Sequence, residues 1–227
     1  MATAEGTGCK RQYLFFDLGW TIEDESAAQR DRAARAAEAM RRRGVEVTPE
    51  RVLALQDEGA ARLVPAVFTY ALERLGLSAG QARSVAKEAG WNKELLCLYP
   101  DARPTLERLR ERHFVGLIAN QSGGTRARLE RYGITPLLDL ILASDELGVE
   151  KPDRRIFEMA QARAGCAARE CWMIGDRTDN DIAPAKALGW RTVRVLHGYS
   201  ALRKPEGPEE MADYTVPGLP TLLDILT

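Results

Sequence analysis

Histidine and cysteine are scarce in this chain of 227 residues, which contains two histidines and four cysteines. With only His113 and His197 available, a zinc site built on several histidines is not expected. The cysteines form no C-x-x-C pair and are spread along the chain, at Cys9, Cys97, Cys166 and Cys171. We therefore predict buried or idle thiols in a reducing compartment.

A long apolar segment and an excess of charge are also missing. No run approaches the ~20 continuous apolar residues of a membrane span, and residues 1–10 are small and polar, without the apolar core of a signal peptide. Lys and Arg (32) nearly cancel Asp and Glu (33), leaving a formal charge of -1. No basic field therefore indicates nucleic acid or a membrane as a partner. We expect a cytoplasmic protein, either a monomer or a homodimer.

Short apolar runs alternate with helical patterns over most of the chain. Continuous apolarity is typical of strands buried on both faces of a parallel sheet, and five such runs occur, at 13–16, 114–118, 140–142, 172–174 and 192–196. Helices are predicted between them, three of which stop at a glycine, over about 103–112, 124–133, 153–165 and 181–189. This alternation predicts βαβ units and an α/β fold with a Rossmann-like, doubly wound parallel sheet.

Residues 23–98 have a different pattern, rich in Ala and Arg and without a strand signal. One helix is predicted from Glu23 to Arg43. Another begins at Thr48-Pro49, with Thr as N-cap and Pro in the first turn, and the residues from Ser78 to Gln81 have a capping-box pattern. We therefore expect an all-helical cap domain over 23–98, inserted into an α/β core formed by 1–22 and 99–227, with hinges near 22–23 and 99–100.

Polar residues follow four of the predicted strands at the point where each strand ends, namely Asp17, Asn120, Ser144 to Glu146 with Lys151, and Asp176 with Asp179 to Asp181. In an open parallel sheet, ligands bind at the carboxyl ends of the strands. Asp17 and Asp176 could bind Mg²⁺, which prefers oxygen ligands and polarises a phosphoryl oxygen. Lys151 and Asn120 could contact the same phosphoryl group. A carboxylate attacking phosphorus would form an aspartyl-phosphate that water can hydrolyse.

Four motifs occur in order at suitable spacing, at Phe15 to Thr21, Leu117 to Gln121, Glu150 to Phe157 and Gly175 to Asp181. Through them, nearly the whole chain resembles the haloacid dehalogenase (HAD) superfamily, in the group with a helical cap inserted after the first strand. The first motif of that family ends in D-x-D-G-T, the second in Ser or Thr followed by Asn, the third reads K-P-x-P-x-I-F and the fourth G-D-x-x-x-N-D.

The resemblance implies a role for each matching residue. It implies that Asp17 is the nucleophile, that Asp17 and Asp176 bind Mg²⁺, and that Asn120 and Lys151 hold the phosphate. It also implies that Asp181 orients Lys151 or a metal-bound water. Asp181 could equally be the N-cap of the helix that follows, and the two roles are compatible.

Three positions depart from the family pattern. Gly19 stands where the family has its second carboxylate, the general acid and base, so that only its backbone carbonyl remains as a metal ligand. Trp20 replaces a glycine beside the nucleophile and, with Arg177, is a candidate for the substrate pocket. Ala119 replaces the hydroxyl residue that donates to phosphate. General acid catalysis contributes typically ~10²–10⁴-fold, so we expect the enzyme to be weakened unless the leaving group is good or another residue substitutes.

These observations favour a hydrolase, a Mg²⁺-dependent phosphomonoesterase that acts on a small phosphorylated metabolite. Hydrolysis of a carbon–halogen bond by the same nucleophile is an alternative, but it needs no metal, so the acidic cluster from Asp176 to Asp181 argues against it. A phosphonate-cleaving reaction has still less support, since no lysine of residues 23–98 stands out as a residue that would serve it. A third alternative, motivated by Gly19, is a ligand-binding or regulatory protein that retains the fold without useful turnover.

Overall fold

The computed structural model describes residues 11–62, 64 and 66–226, and Cys9 lies outside that range. Its strands are β1 (Tyr13–Phe16), β2 (Glu23–Asp24), β3 (Cys97–Leu98), β4 (Phe114–Ala119), β5 (Leu140–Ala143), β6 (Cys171–Gly175), β7 (Arg191–Val195) and β8 (Tyr214–Val216). Its helices are α1 (Ser26–Arg41), α2 (Pro49–Ala61), α3 (Val67–Arg74), α4 (Ala79–Ala89), α5 (Ala102–Arg110), α6 (Thr125–Arg131), α7 (Ser144–Leu147), α8 (Arg154–Ala164), α9 (Ala183–Ala187) and α10 (Leu222–Leu226).

Six strands form one sheet in the order β5-β4-β1-β6-β7-β8, and every pair between neighbours is parallel. The chain runs outward from β1 through β4 to β5, then returns to β6 on the other side of β1. This reversal is the switch point of a doubly wound sheet, where ligands bind at the carboxyl ends of the strands. The predicted fold class is therefore confirmed.

The sheet is covered on both faces because successive side chains of a strand point to opposite sides. On one face, Leu14 and Phe16 of β1 belong to a buried cluster that includes Leu106 of α5 and Leu222 of α10. On the other face, Phe15 belongs to a cluster with residues of α8 and with the buried Trp190. Burial on both sides explains why these strands are continuously apolar in sequence.

The chain divides into two compact units, one formed by 1–22, 98–195 and 207–227 and the other by 23–97 and 196–206. The second unit is largely helical, and α1 to α4 enclose their own buried cluster, which includes Met40, Val52 and Leu72. Two of its predicted helix starts are confirmed. The Thr48 side chain accepts from the Arg51 N–H at 3.3 Å, and Ser78 and Gln81 form a complete capping box.

Three local predictions need correction. Residues 23–98 do contain strand, because Glu23–Asp24 and Cys97–Leu98 form a two-stranded sheet, and so α1 begins at Ser26 rather than at Glu23. The segment 196–206, expected in the α/β core, groups with the helical unit. β8 was not predicted and pairs with β7. Strands of two or three residues are too short to produce a readable apolar pattern.

Within the described ranges, no helix combines the length and the apolar character needed to cross a membrane.

Candidate active site

Asp17 is placed by the sheet itself. It follows the last residue of β1, and its backbone N–H donates to the Ile174 carbonyl of β6 at 2.9 Å, which continues the pairing of the two strands. The side chain is 14% exposed and is therefore partly accessible to solvent. A partly accessible carboxylate anchored at the switch point has the placement that a nucleophile needs.

Lys151 is the cation of the site. Its side chain is 2% exposed, and its Nζ lies 2.6 Å from Asp17 Oδ1 and 2.6 Å from Asp181 Oδ1. Burial lowers the pKa of Lys151, but the charges and hydrogen bonds of Asp17 and Asp181 outweigh this effect and raise it above its ordinary value. Lys151 is therefore an ammonium ion at neutral pH and holds the two carboxylates together.

Asp181 is buried and serves as the second partner of Lys151. Its Oδ2 accepts from the Arg177 backbone N–H at 3.0 Å while Oδ1 accepts from Lys151. Burial raises the pKa of Asp181 to about 6, with the Lys151 charge opposing and the Asp17 charge reinforcing the rise. Asp181 itself lies within the π-helical turn Thr178–Ile182, so its bond to the Arg177 N–H links the end of the turn to the residue before its start. Asp181 therefore holds Lys151, but the alternative role as N-cap of the following helix is wrong, because the N-cap of α9 is Ile182 and no side chain caps it.

Asp176 follows β6 and is 3% exposed. Its Oδ1 accepts from Thr21 Oγ1 at 3.4 Å, and its backbone carbonyl accepts from Arg194 Nε at 3.3 Å. Arg194 is itself only 5% exposed, on β7. Sequence reasoning missed Arg194, although an arginine within the apolar run Thr192 to Leu196 is a usable signal, because a charge on a buried strand needs a partner.

Asp17, Asp176 and Asp181 form a group in which one carboxylate oxygen of each lies within 4.8 Å of the others. An all-oxygen donor set of this kind suits a hard cation such as Mg²⁺. Both oxygens of Asp181 already accept hydrogen bonds from Lys151 and from the Arg177 N–H. Asp17 and Asp176 are therefore better placed than Asp181 to be direct ligands, and the residues present fit the ion.

The Asn120 side chain is joined to the backbone of Lys151. Its Nδ2 donates to the Lys151 carbonyl at 2.7 Å, and its Oδ1 accepts from the Lys151 N–H at 2.8 Å. This two-point contact holds the segment that carries the ammonium group, a role that the sequence did not predict. Direct contact of Asn120 with a phosphate stays a prediction.

Trp20 and Arg177 were expected at the substrate pocket. Trp20 is buried, and among the described residues it is the one non-glycine residue with a positive φ, 54°. Such a conformation is sparsely populated and is often found at functional sites. Arg177 is half exposed and binds the Asp179 carboxylate, with its Nη2 2.7 Å from Oδ2. Their contact with a substrate stays a prediction.

Comparison with known proteins adds independent information. A family model described as haloacid dehalogenase-like hydrolase matches residues 85–189. A glyceraldehyde 3-phosphate phosphatase from Pyrococcus furiosus is 31% identical over 222 residues, which are 94% of this chain and 92% of that protein. Another, from Methanocaldococcus jannaschii, is 41% identical over 99 residues, which are 44% of this chain and 42% of that protein. In this second match and two others, the chain spans about half the length of the curated relative.

Among solved structures, the HAD-hydrolase YfnB from Bacillus subtilis, bound to magnesium, superposes with a TM-score of 0.67 at 21% identity. The match covers 96% of this chain and 99% of that chain. At this identity the likeness shows the fold alone. The nearly full-length relative from Pyrococcus furiosus goes further, because it is more than 30% identical to this chain. The chain belongs to the haloacid dehalogenase-like hydrolase family.

Proposed function

We propose that this hydrolase is a Mg²⁺-dependent phosphatase that cleaves the phosphomonoester of a small metabolite, with Asp17 as nucleophile. The observation that carries the proposal is the Asp17 carboxylate, held 2.6 Å from the buried ammonium of Lys151 and grouped with Asp176. A fixed carboxylate beside a fixed cation suits attack on an anionic phosphoryl group, because the cation offsets the repulsion between the two anions.

The first step is displacement at phosphorus. An Asp17 carboxylate oxygen attacks the phosphorus atom, the bond from phosphorus to the ester oxygen breaks, and an aspartyl-phosphate forms. Water then attacks the same phosphorus, which releases inorganic phosphate and restores the Asp17 carboxylate. Lys151 neutralises the negative charge of the phosphoryl oxygens in both steps.

The remaining residues position this pair. Asp181 and Asn120 hold Lys151 by its Nζ and by its backbone. Asp17, Asp176 and the carbonyl of Gly19 would hold Mg²⁺, which when bound polarises a phosphoryl oxygen and screens the carboxylates. Gly19 has no side chain to protonate the leaving group. Turnover therefore falls with poor leaving groups, because general acid catalysis normally contributes ~10²–10⁴-fold.

A small phosphorylated metabolite is the substrate class best supported, because the relatives from Pyrococcus furiosus and Methanocaldococcus jannaschii are named glyceraldehyde 3-phosphate phosphatases. That compound therefore belongs first in a panel of metabolite phosphates.

The proposal is tested by hydrolysis of p-nitrophenyl phosphate with and without Mg²⁺. This ester has a leaving group that needs little protonation, so the assay reports on the nucleophile separately from the missing acid. We expect activity that requires Mg²⁺ and is lost in Asp17→Asn. Asp224→Asn is the matched control, because Asp224 is an exposed carboxylate on α10, and it should retain full activity.

One result of this assay would contradict the proposal. If folded wild-type protein binds Mg²⁺ but hydrolyses neither p-nitrophenyl phosphate nor any metabolite phosphate faster than Asp17→Asn does, the phosphatase proposal is wrong. A ligand-binding or regulatory role on the same fold then becomes the better explanation.

A further inference from the structure

Two cysteines that look unrelated in sequence meet in the fold. Cys166 comes two residues after the end of α8, and Cys171 is the first residue of β6. Their Sγ atoms lie 3.2 Å apart. Each sulfur also lies near a backbone carbonyl, with Cys166 Sγ 3.8 Å from the Gln161 oxygen and Cys171 Sγ 3.5 Å from the Ala167 oxygen. Neither thiol contacts a residue of the candidate active site through these bonds.

We propose that Cys166 and Cys171 are a thiol oxidation site, which a hydroperoxide converts into a reversible disulfide within the chain. A disulfide has an S–S distance of about 2.05 Å, so the sulfurs must approach by roughly 1 Å. The joining segment is short, and its turn at Ala168–Glu170 is a single 3₁₀ turn rather than part of a longer helix. A small adjustment of this turn brings the sulfurs together without moving α8 or β6.

The surroundings assign different roles to the two thiols. A cavity of about 350 Å³ lies beside the pair, lined by Glu158, Gln161, Ala162, Gly165, Cys166, Ala168 and Leu188. Cys166 lines this cavity and is half-buried, whereas Cys171 is buried and does not line it. A small hydroperoxide entering the cavity therefore meets Cys166 first. Cys171 lies behind Cys166 and is placed to resolve the oxidised product.

The chemistry balances with hydrogen peroxide as the oxidant. The Cys166 thiolate attacks one peroxide oxygen, the O–O bond breaks, and a sulfenic acid and hydroxide form, with hydroxide taking up the thiol proton as water. The Cys171 sulfur then attacks the Cys166 sulfur, the S–O bond breaks, and the hydroxyl group leaves as a second water. Two thiols are oxidised to one disulfide while one peroxide is reduced to two waters. A dithiol reductant reverses the change by thiol–disulfide exchange.

The proton affinities of the thiols agree with these roles. Burial raises the pKa of both thiols above the ordinary value, and the contact between the sulfurs lowers that of Cys166 while raising that of Cys171 further. Cys166 is therefore the more readily ionised of the two. Since the thiolate is the reactive form, we expect oxidation to be slow at neutral pH and to speed up as the pH rises.

Tryptic digestion provides a direct test, because Arg169 lies between the two cysteines. The full-length protein is treated with hydrogen peroxide, remaining thiols are alkylated, and the digest is examined by mass spectrometry. Cleavage separates the peptides 164–169 and 170–177, each with one cysteine. We expect these two peptides to appear joined after oxidation and to separate on treatment with dithiothreitol.

Three variants sharpen the test. Cys97→Ser is the matched control, because it removes the exposed thiol, and it should still give the joined peptides. Cys166→Ser should abolish them. Cys171→Ser should leave Cys166 as a sulfenic acid that dimedone labels. Joined peptides in the wild type support the pair whether or not the variants fold. The proposal is wrong if the joined peptides are absent although peroxide has oxidised the exposed Cys97, which shows that the treatment worked. It is also wrong if Cys166 is cross-linked to any cysteine other than Cys171.

Discussion

Lys151 shows how single residues determine the site. A buried ammonium ion is costly unless it is paired and hydrogen-bonded. Here Asp17 and Asp181 accept from the same Nζ at 2.6 Å, and Asn120 makes two hydrogen bonds to the backbone of Lys151. The cation also relieves the repulsion between the two carboxylates. Four hydrogen bonds therefore determine the position of Lys151, as expected for an ammonium group that must lie beside the Asp17 carboxylate.

His113 provides a pH-dependent test at the residue scale. It is buried; its Nδ1 accepts from the Gln12 N–H at 3.2 Å and its Nε2 donates to the Leu226 carbonyl at 2.5 Å. Burial lowers the pKa of His113, with Arg112 and Arg11 adding to the effect and the Leu226 bond opposing it. Protonation of Nδ1 would also break the bond from Gln12.

The folded protein therefore binds this proton less readily than the unfolded chain, whose histidine pKa is about 6.5. By linkage, this contribution to stability is complete above that value and is lost as the pH falls below it towards the folded pKa. We expect the free energy of unfolding, from urea titrations between about pH 5 and pH 7.5, to fall more steeply with acid in the wild type than in His113→Gln. Equal slopes would show that His113 is not the group responsible.

At the scale of the element, the end of β6 brings two carboxylates together. The strand ends at Gly175, Asp176 follows, and a π-helical turn at Thr178–Ile182 returns the chain so that Asp181 packs back against Gly175. A Cβ at Gly175 would overlap the Asp181 carboxylate. Glycine is thus required here by close packing, and no positive φ is involved at this position.

Gly175→Ala should therefore push Asp181 away from Lys151 while preserving the sheet. We expect kcat/KM for p-nitrophenyl phosphate to fall by roughly 10²-fold, since a displacement of about 1 Å can cost that much. Circular dichroism should remain that of the wild type. Unchanged kcat/KM in the folded variant would mean that the Lys151–Asp181 contact is not needed for turnover.

Gly80→Ala is the matched control. Gly80 lies in α4, a Cβ there meets nothing within 4 Å, and its φ is not positive. Alanine loses less backbone entropy than glycine when a helix forms, so this variant should be more stable by about 0.5–1 kcal/mol. Its activity should not change.

At the scale of the whole molecule, two units each have buried clusters of their own. The α/β unit has one cluster on each face of the sheet, and the helical unit has a third, within α1 to α4. Because a cluster stabilises the elements that it joins, the two units can differ in local stability.

Leu72→Ala tests this independence. Leu72 of α3 is fully buried in the helical unit, and removal of such a side chain typically costs about 2–5 kcal/mol. We expect native-state hydrogen exchange to accelerate at amides of 26–89 and to stay unchanged in β1, β4 and β6. Leu117→Ala, at a fully buried position of β4, should give the opposite pattern. Equal acceleration everywhere after Leu72→Ala would indicate one cooperative unit instead.

Much of this organisation is determined locally and is therefore readable from the sequence. A strand buried on both faces must be apolar throughout, so β1, β4, β5, β6 and β7 were predicted to within a residue or two of their observed bounds. Helix ends depend on caps within a few residues, which is why Thr48 and Ser78 were recognised. Asp17, Lys151 and Asp176 were recognised because they occupy strand ends or motif positions.

Other features depend on pairing between distant segments, which no local pattern encodes. β2, β3 and β8 are strands only because a partner strand supplies their hydrogen bonds. The contact between Cys166 and Cys171 depends on how the turn after α8 enters the sheet. The contact of the Asn120 amide with the Lys151 backbone likewise joins residues that lie far apart in the sequence. The sequence by itself determined the fold class and the chemical groups of the site, because these follow from local periodicity and residue type. The tertiary structure alone decided which groups touch, because such contacts depend on the geometry of the whole sheet.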